Sequence, residues 1–189
     1  MLRIADVTLA VAGLLLGLPL FLLLTFVGFF DTGKPLFRQR RIGTGGAEFT
    51  LFKFRTMRVG TRDLPTHLAQ PSDITGFGRF LRRTKLDELP QLWNVLLGQM
   101  SFVGPRPCLP SQLDVIEARR AQGVLASRPG ITGFAQLRGI DMSEADRLAR
   151  ADREMMERLN LRTYLLCIFF TAIGRGRGDR VRVAGDEQA

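Results

Sequence analysis

The chain has 189 residues, with 27 Lys or Arg against 18 Asp or Glu, a formal charge of +9 at neutral pH. That length suits one domain with a modest core, and the basic balance points to an anionic partner: nucleic acid, membrane lipid or a phosphorylated substrate. The two cysteines, Cys108 and Cys167, fit neither a zinc spacing nor a disulfide framework, which favours a reducing compartment, and the lone His67 sits in a polar, Pro- and Ser-containing stretch that offers no triad or zinc site.

From the N-terminus, Val7 to Phe30 is almost wholly apolar, interrupted only by Thr8, Gly13, Gly17, Pro19, Thr25 and Gly28. The run is too long, and too poorly flanked by a small-residue cleavage site, to be a signal peptide. It is long enough to span a bilayer. Pro19 lies in its middle, where the missing N–H predicts a bend. Two geometries follow: a kinked helix crossing once, or a re-entrant hairpin returning to the same face. Arg3 precedes the run and Lys34, Arg38, Arg40 and Arg41 follow it. The positive-inside tendency therefore places the downstream chain in the cytoplasm under either geometry.

After a turn at Asp31-Thr32-Gly33, Phe37–Arg41 and Glu48–Phe54 read as two short strands, with Gly43–Gly46 as the hairpin loop. No Gly-Lys-Ser/Thr follows, so this is not a phosphate-binding loop. Between Asp31 and Asp63 there are eight Lys or Arg against three acids, interleaved with Phe37, Phe49, Phe52 and Phe54. Such a pattern suits nucleic acid. Directly after a membrane segment it better suits lipid headgroups or an anionic substrate at the interface. Arg58–Ser72 is a polar linker holding the lone His67 as a surface residue, and Gly76–Arg83 predicts a short helix.

The stretch from Leu81 to Pro107 holds the candidate chemistry. Adjacent carboxylates Asp87 and Glu88 follow Arg79, Arg82, Arg83 and Lys85. Leu86, Leu89, Trp93, Leu96 and Leu97 recur at helical spacing and predict one buried helix face. Pro90 is tolerated in a first helical turn, which places Asp87 and Glu88 at the helix N-terminus, where the dipole favours anions. An ordinary cap accounts for an Asp-Glu pair at a helix start. Two acids beside several cations are also the parts that hold a divalent metal and a phosphate together. A stiff Gly104-Pro105-Arg106-Pro107 loop closes the stretch.

Ser111–Gln122 is a further helix, and Arg128–Gly133 a rigid turn carrying one cation, followed by the short segment Phe134–Arg138. Ser143–Arg158 is a helix with Ser143 as N-cap and spacing-four pairs Asp146–Arg150 and Glu154–Arg158. Leu161–Ile173 is apolar but too short to span, and suits a helix lying in the membrane surface. The Gly- and Arg-rich tail from Gly174 has the composition of a disordered segment.

Five motifs in order carry a resemblance: Phe37-Arg38-Gln39-Arg40-Arg41-Ile42-Gly43; Lys53-Phe54-Arg55-Thr56-Met57; Leu86-Asp87-Glu88-Leu89-Pro90-Gln91-Leu92-Trp93-Asn94-Val95; Met100-Ser101-Phe102-Val103-Gly104-Pro105-Arg106-Pro107; and Arg128-Pro129-Gly130-Ile131-Thr132-Gly133-Phe134-Ala135-Gln136. The chain resembles the bacterial sugar transferases, small monotopic phosphoglycosyl transferases that start glycan assembly on a polyprenyl phosphate carrier. The resemblance implies that Asp87 is a nucleophile toward the β-phosphate of a UDP-sugar, releasing UMP and holding the phosphosugar until polyprenyl phosphate takes it. It implies that Glu88 positions or coordinates the ion, with Mg²⁺ as cofactor and Asp87 and Glu88 as the metal-facing pair. Lys53, Arg55, Lys85, Arg106, Arg128, Gln136 and Arg138 are the candidate phosphate and substrate contacts. Lys53 and Arg55, two apart on one strand, are expected on one face, and Arg106 between prolines suits a bidentate phosphate contact.

Two departures from the family pattern stand out. Leu18 precedes Pro19 where many relatives have Ser, and Ile140 stands where well-known members carry a phosphate-binding arginine, with Arg138 as a substitute charge. The expected fold is α+β, mainly helical: a monotopic membrane protein with a Pro-kinked re-entrant N-terminal helix and interfacial helices. Its parts are a membrane helix at 1–30, a cytoplasmic catalytic domain at 31–173 and a basic tail at 174–189. The implied partners are a UDP-sugar, polyprenyl phosphate, membrane lipid and downstream glycosyltransferases, with no nucleic acid, at the cytoplasmic face of the bacterial inner membrane. The competing reading is a non-catalytic, membrane-anchored basic module for anionic lipid or nucleic acid.

Overall fold

The computed structural model describes residues 2–61 and 71–174. His67, most of the predicted linker and the Gly/Arg-rich tail lie outside the described residues. The fold is mainly helical with two small sheets.

Helix α1, Leu2–Thr32, runs as one helix across Pro19, which sits on its exposed side. It is long and apolar enough to cross a membrane. Its contacts with the rest of the chain fall at three- and four-residue steps, which makes a single stripe. Arg3 donates to the carbonyls of Val95 and Leu96. Asp6 and Ala10 are buried, Gly13 and Gly17 face Leu92 and Leu89, Phe21 packs on Phe54, and Leu24 and Gly28 are buried near the far end. Asp6 Oδ1 accepts hydrogen bonds from the Ser101 hydroxyl, the Phe102 N–H and the Tyr164 hydroxyl. A buried carboxylate requires such donors. The remaining faces, including Leu15, Leu16, Leu22, Leu23, Phe26, Phe29 and Phe30, are exposed and apolar.

Strands β1, Leu36–Ile42, and β2, Glu48–Phe54, form the expected antiparallel hairpin, pairing Leu36 with Phe54 and Ile42 with Glu48. Helix α2 spans Gly76–Thr84, capped by Thr75, whose hydroxyl accepts from Gly78 N–H. Gly78 lies so close to Thr56 that a Cβ there would overlap its backbone.

The central stretch departs from the sequence reading. Leu86–Glu88 is a 3₁₀ turn, and helix α3 begins only at Gln91 and ends at Leu96, with Pro90 at its cap. Asp87 and Glu88 therefore sit one turn ahead of α3, not in its first turn. The buried face also differs. Gln91, Leu92, Asn94 and Val95 point inward, while Trp93 and Leu97 are exposed. The apolar spacing assumed one helix starting at Leu86; the 3₁₀ turn changes the phase before α3 starts.

A parallel pair absent from the sequence reading forms between β3, Ser101–Val103, just ahead of the Gly104–Pro107 loop, and β4, Gly130–Thr132, inside the expected rigid turn. Helices α4, Leu113–Ala121, α5, Phe134–Leu137, α6, Ala145–Arg158, and α7, Leu161–Ala172, complete the fold. Glu144, not Ser143, occupies the N-cap of α6. Ser143 instead bonds through its N–H and hydroxyl to Asp141 Oδ1, an Asx-type turn that competes with capping. The Glu154–Arg158 pair forms as expected. α7 is capped by Asn160, and Tyr164 and Cys167 face inward while Leu161, Leu165, Leu166 and Phe169 are exposed.

Candidate active site

The turn carrying Asp87 is set by Lys85. Lys85 is the only non-glycine with positive φ among the described residues, at φ 59°. A left-handed residue at this point ends α2 and starts the 3₁₀ turn without a break. Strain in a lysine persists where the surroundings impose it, often at functional sites. Its ammonium lies 3.5 Å from the Thr171 carbonyl in α7, and burial pulls its pKa below the ordinary lysine value.

Asp87 is buried, with 9% of its surface exposed. Glu88 Oε1 meets Arg106 Nη2 at 3.0 Å and Lys53 Nζ at 3.9 Å. Asn94, fully buried, holds β2 beside α3 next to Lys53: its amide donates to the Thr50 carbonyl and its Oδ1 accepts from Phe52 N–H. Burial first, then the neighbouring Glu88 charge, raises the Asp87 pKa to about 6, against the pull of Lys53, Arg82 and Arg106. Two adjacent carboxylates without a further cation resist joint ionisation.

Arg82 was counted among the local cations but given no role by the sequence. Its Nε donates to Thr56 Oγ1, and its buried Nη1 has no hydrogen-bond partner in the structure. A buried guanidinium nitrogen without a hydrogen-bond partner among the described residues, on an arginine whose charge acts on Asp87, suits an anionic ligand. Its distance in sequence from Asp87 becomes proximity only once Lys85 turns the chain.

The other candidates are placed elsewhere. Arg55 lies just past the end of β2; its guanidinium donates to the Lys34 carbonyl and stacks 5.1 Å from the Phe37 ring centre. It does not share the Glu88-directed face with Lys53. Arg128 donates to the Gly98 carbonyl from an exposed position. Arg138 pairs with Glu154 and lies over Phe134. Ile140, at the position of the missing family arginine, is a core residue packed with Cys108, Val115, Ala135 and Leu148. Gln136 is buried on α5, with Nε2 3.4 Å from the Ile131 carbonyl and Oε1 unpartnered.

No group of three or more His, Cys, Asp or Glu side chains suited to a metal occurs among the described residues. Mg²⁺, however, is commonly held by one or two carboxylates completed by substrate phosphates and water. Asp87 and Glu88 fit that donor set, and the raised Asp87 pKa marks a place where added positive charge is favourable.

A buried carboxylate and a second acid, with three cations acting on their charge, lie on a domain packed along a helix long and apolar enough to cross a membrane. The chain belongs to the bacterial sugar transferase family, whose model matches residues 1–175. It is 37% identical over 188 residues to an exopolysaccharide production protein, ExoY, of Sinorhizobium fredii, covering 89% of this chain and 82% of that one. It is 43% identical over 143 residues to the UDP-glucose:undecaprenyl-phosphate glucose-1-phosphate transferase of Caulobacter vibrioides, covering 73% of this chain and 54% of that protein. A putative undecaprenyl-phosphate N-acetylgalactosaminyl 1-phosphate transferase of Bacillus subtilis is 41% identical over 108 residues, 56% of this chain and 60% of its own.

Proposed function

We propose that the protein transfers a sugar-1-phosphate from a UDP-sugar to polyprenyl phosphate, in the first membrane step of glycan assembly. The observation that carries this reading is the buried Asp87 beside Glu88, with Lys53, Arg82 and Arg106 acting on its charge. An Asp87 carboxylate oxygen attacks the β-phosphorus. The bond from that phosphorus to the bridging oxygen breaks, and UMP leaves with the electron pair. The phosphosugar is held as an acyl phosphate. An oxygen of polyprenyl phosphate then attacks the same phosphorus, forming the diphosphate and returning Asp87 as a carboxylate. Splitting the transfer avoids bringing both substrates together at once. Asp87 and Glu88 would hold a Mg²⁺ ion, which would supply charge neutralisation between an anionic nucleophile and an anionic phosphate. Arg106 and Arg82 hold phosphate oxygens, and Glu88 keeps Arg106 and Lys53 in place.

The full chain in lipid nanodiscs, given Mg²⁺, undecaprenyl phosphate and in turn UDP-glucose, UDP-galactose and UDP-N-acetylgalactosamine, is expected to release UMP with at least one donor. Without the lipid acceptor, intact-mass and peptide analysis should find a phosphosugar on Asp87. Silence with every donor, or an adduct elsewhere, sinks the reading.

The same proposal includes a re-entrant α1 on the cytoplasmic face of the inner membrane. Arg3 and Asp6 near its start, and Gly28 and Asp31 near its end, all contact the downstream domain. A single crossing would carry the first pair about 30 Å away, to the other side of the bilayer. Ile4→Cys is expected to react with an impermeant thiol reagent in inside-out membrane vesicles and not in intact cells. Labelling in intact cells would instead mean a spanning helix.

A further inference from the structure

The loop bearing Arg106 has no regular structure, and its two prolines remove the N–H groups of residues 105 and 107. Four consecutive carbonyls nevertheless each accept a hydrogen bond. Pro105 O takes the Gly130 N–H at 2.9 Å and Cys108 O takes the Ile42 N–H at 2.9 Å. The two carbonyls between them are held by side chains: Arg106 O by Arg119 Nη1 at 2.7 Å, and Pro107 O by Arg41 Nη1 at 3.0 Å. Both arginines are buried, and their fixed forks hold a geometry that a lysine cannot copy.

The Arg119 fork is divided in a telling way. Nε and Nη2 both go to Asp152 Oδ2, at 3.0 and 2.7 Å, while the buried Oδ1 of Asp152 has no partner. A guanidinium serving only Asp152 would pair with both oxygens. Here Nη1 turns away to the Arg106 carbonyl, and an acceptor is left unsatisfied. A buried ion pair is weak evidence for stability alone, because apolar replacements are often as stable.

We propose that Arg119 and Arg41 are positioning residues that clamp the Pro105-Arg106-Pro107 backbone, so that the Arg106 side chain is delivered to Glu88 beside Asp87. The proposal rests on the reading of Asp87, Glu88 and Arg106 as the reaction site. Asp152 orients Arg119, and Gln39 Oε1 orients Arg41 by accepting from its Nε at 2.9 Å. Neither arginine touches the reacting groups; each acts through the backbone of Arg106.

Arg119→Lys keeps a charge for Asp152 but cannot also reach the Arg106 carbonyl. It is expected to lower UMP release about 10–100-fold, the scale of a small misplacement in a positioned group. In an Arg106→Lys background the same substitution should cost no more than about twofold, since both act on one contact. Multiplicative losses in the double variant, or full turnover in Arg119→Lys, overturn the proposal. Arg41→Lys is the second variant and should behave alike if Arg119→Lys does not fold. A readout independent of activity is hydrogen exchange of peptides covering residues 103–109. Exchange there should quicken at least about tenfold in either variant while α6 stays protected; unchanged exchange refutes the clamp. If the wild type releases no UMP, the reaction reading fails, and the exchange result still decides the clamp by itself.

Discussion

Asp87→Asn is expected to reduce UMP release by more than about a thousandfold, the scale seen when a covalent nucleophile is removed, and to leave no phosphosugar adduct. The amide keeps the shape of the side chain but cannot form an acyl phosphate. The same substitution is expected to stabilise the fold. Burial and Glu88 raise the Asp87 pKa from its ordinary 3.8 to about 6, a shift already net of Lys53, Arg82 and Arg106. Between those two values the folded chain binds more protons at this site than the unfolded chain does, so its contribution to stability falls as pH rises. The penalty is absent below the ordinary value, grows through the window, and is complete above about pH 6. At neutral pH it amounts to something on the order of 1–3 kcal/mol. In chelator-treated protein, Asp87→Asn should therefore melt a few degrees above wild type at pH 7.5. The two curves should converge toward pH 4. An inactive variant that melts well below wild type at pH 7.5 would show that Asp87 holds the fold together, and the loss of activity would then say nothing of a nucleophile.

Much of this arrangement was legible from local signals. The β1–β2 hairpin follows from two short segments around a Gly-rich loop, and α7 from its apolar run, while the caps of α2 and α7 at Thr75 and Asn160 emerge only in the structure. The candidate cluster was legible where its charged residues share one stretch: Asp87, Glu88 and Lys85 are neighbours in sequence. Lys53 and Arg106 came from the family motifs, and the fold brings both to Glu88. What was hidden depends on non-local geometry. The left-handed Lys85 changes the direction of the chain, and with it the buried face of α3, so Trp93 and Leu97 turn out and Arg82 turns in. Arg55 looked like the companion of Lys53, but β2 ends before it and its side chain folds back on Lys34 and Phe37. The parallel β3–β4 pair joins three-residue strands separated by α4. Strands that short carry no periodicity to read.

That pair makes the second large prediction: Gly130→Ala is expected to unfold the domain, costing roughly 4 kcal/mol or more, beyond ordinary overpacking. Gly130 N–H bonds to the Pro105 carbonyl, Ser101 N–H to Pro129, and Gly104 N–H to Thr132, each at 2.9 Å. The two strands thus meet backbone to backbone at Gly104 and Gly130. A Cβ on Gly130 would overlap the backbone N, Cα and O of Gly104, and one on Gly104 would overlap Arg128 and Gly130. Neither glycine has a positive φ, so the need is for space and not for an unusual dihedral. Backbone atoms held in a ladder cannot swing aside as a flexible side chain can. Gly139→Ala is the contrasting control. Its φ is +69° with nothing within 4 Å of the added carbon, so it should cost only about 1–2 kcal/mol of dihedral strain. Relief of the Gly130 overlap by strand separation would move Pro105, and Arg106 with it, away from Glu88, so any folded fraction should also be inactive. Denaturant titration and UMP release on both variants check the pair. A Gly130→Ala protein as stable and as active as Gly139→Ala would mean that the strands do not meet at these glycines and that Arg106 is placed by something other than this ladder.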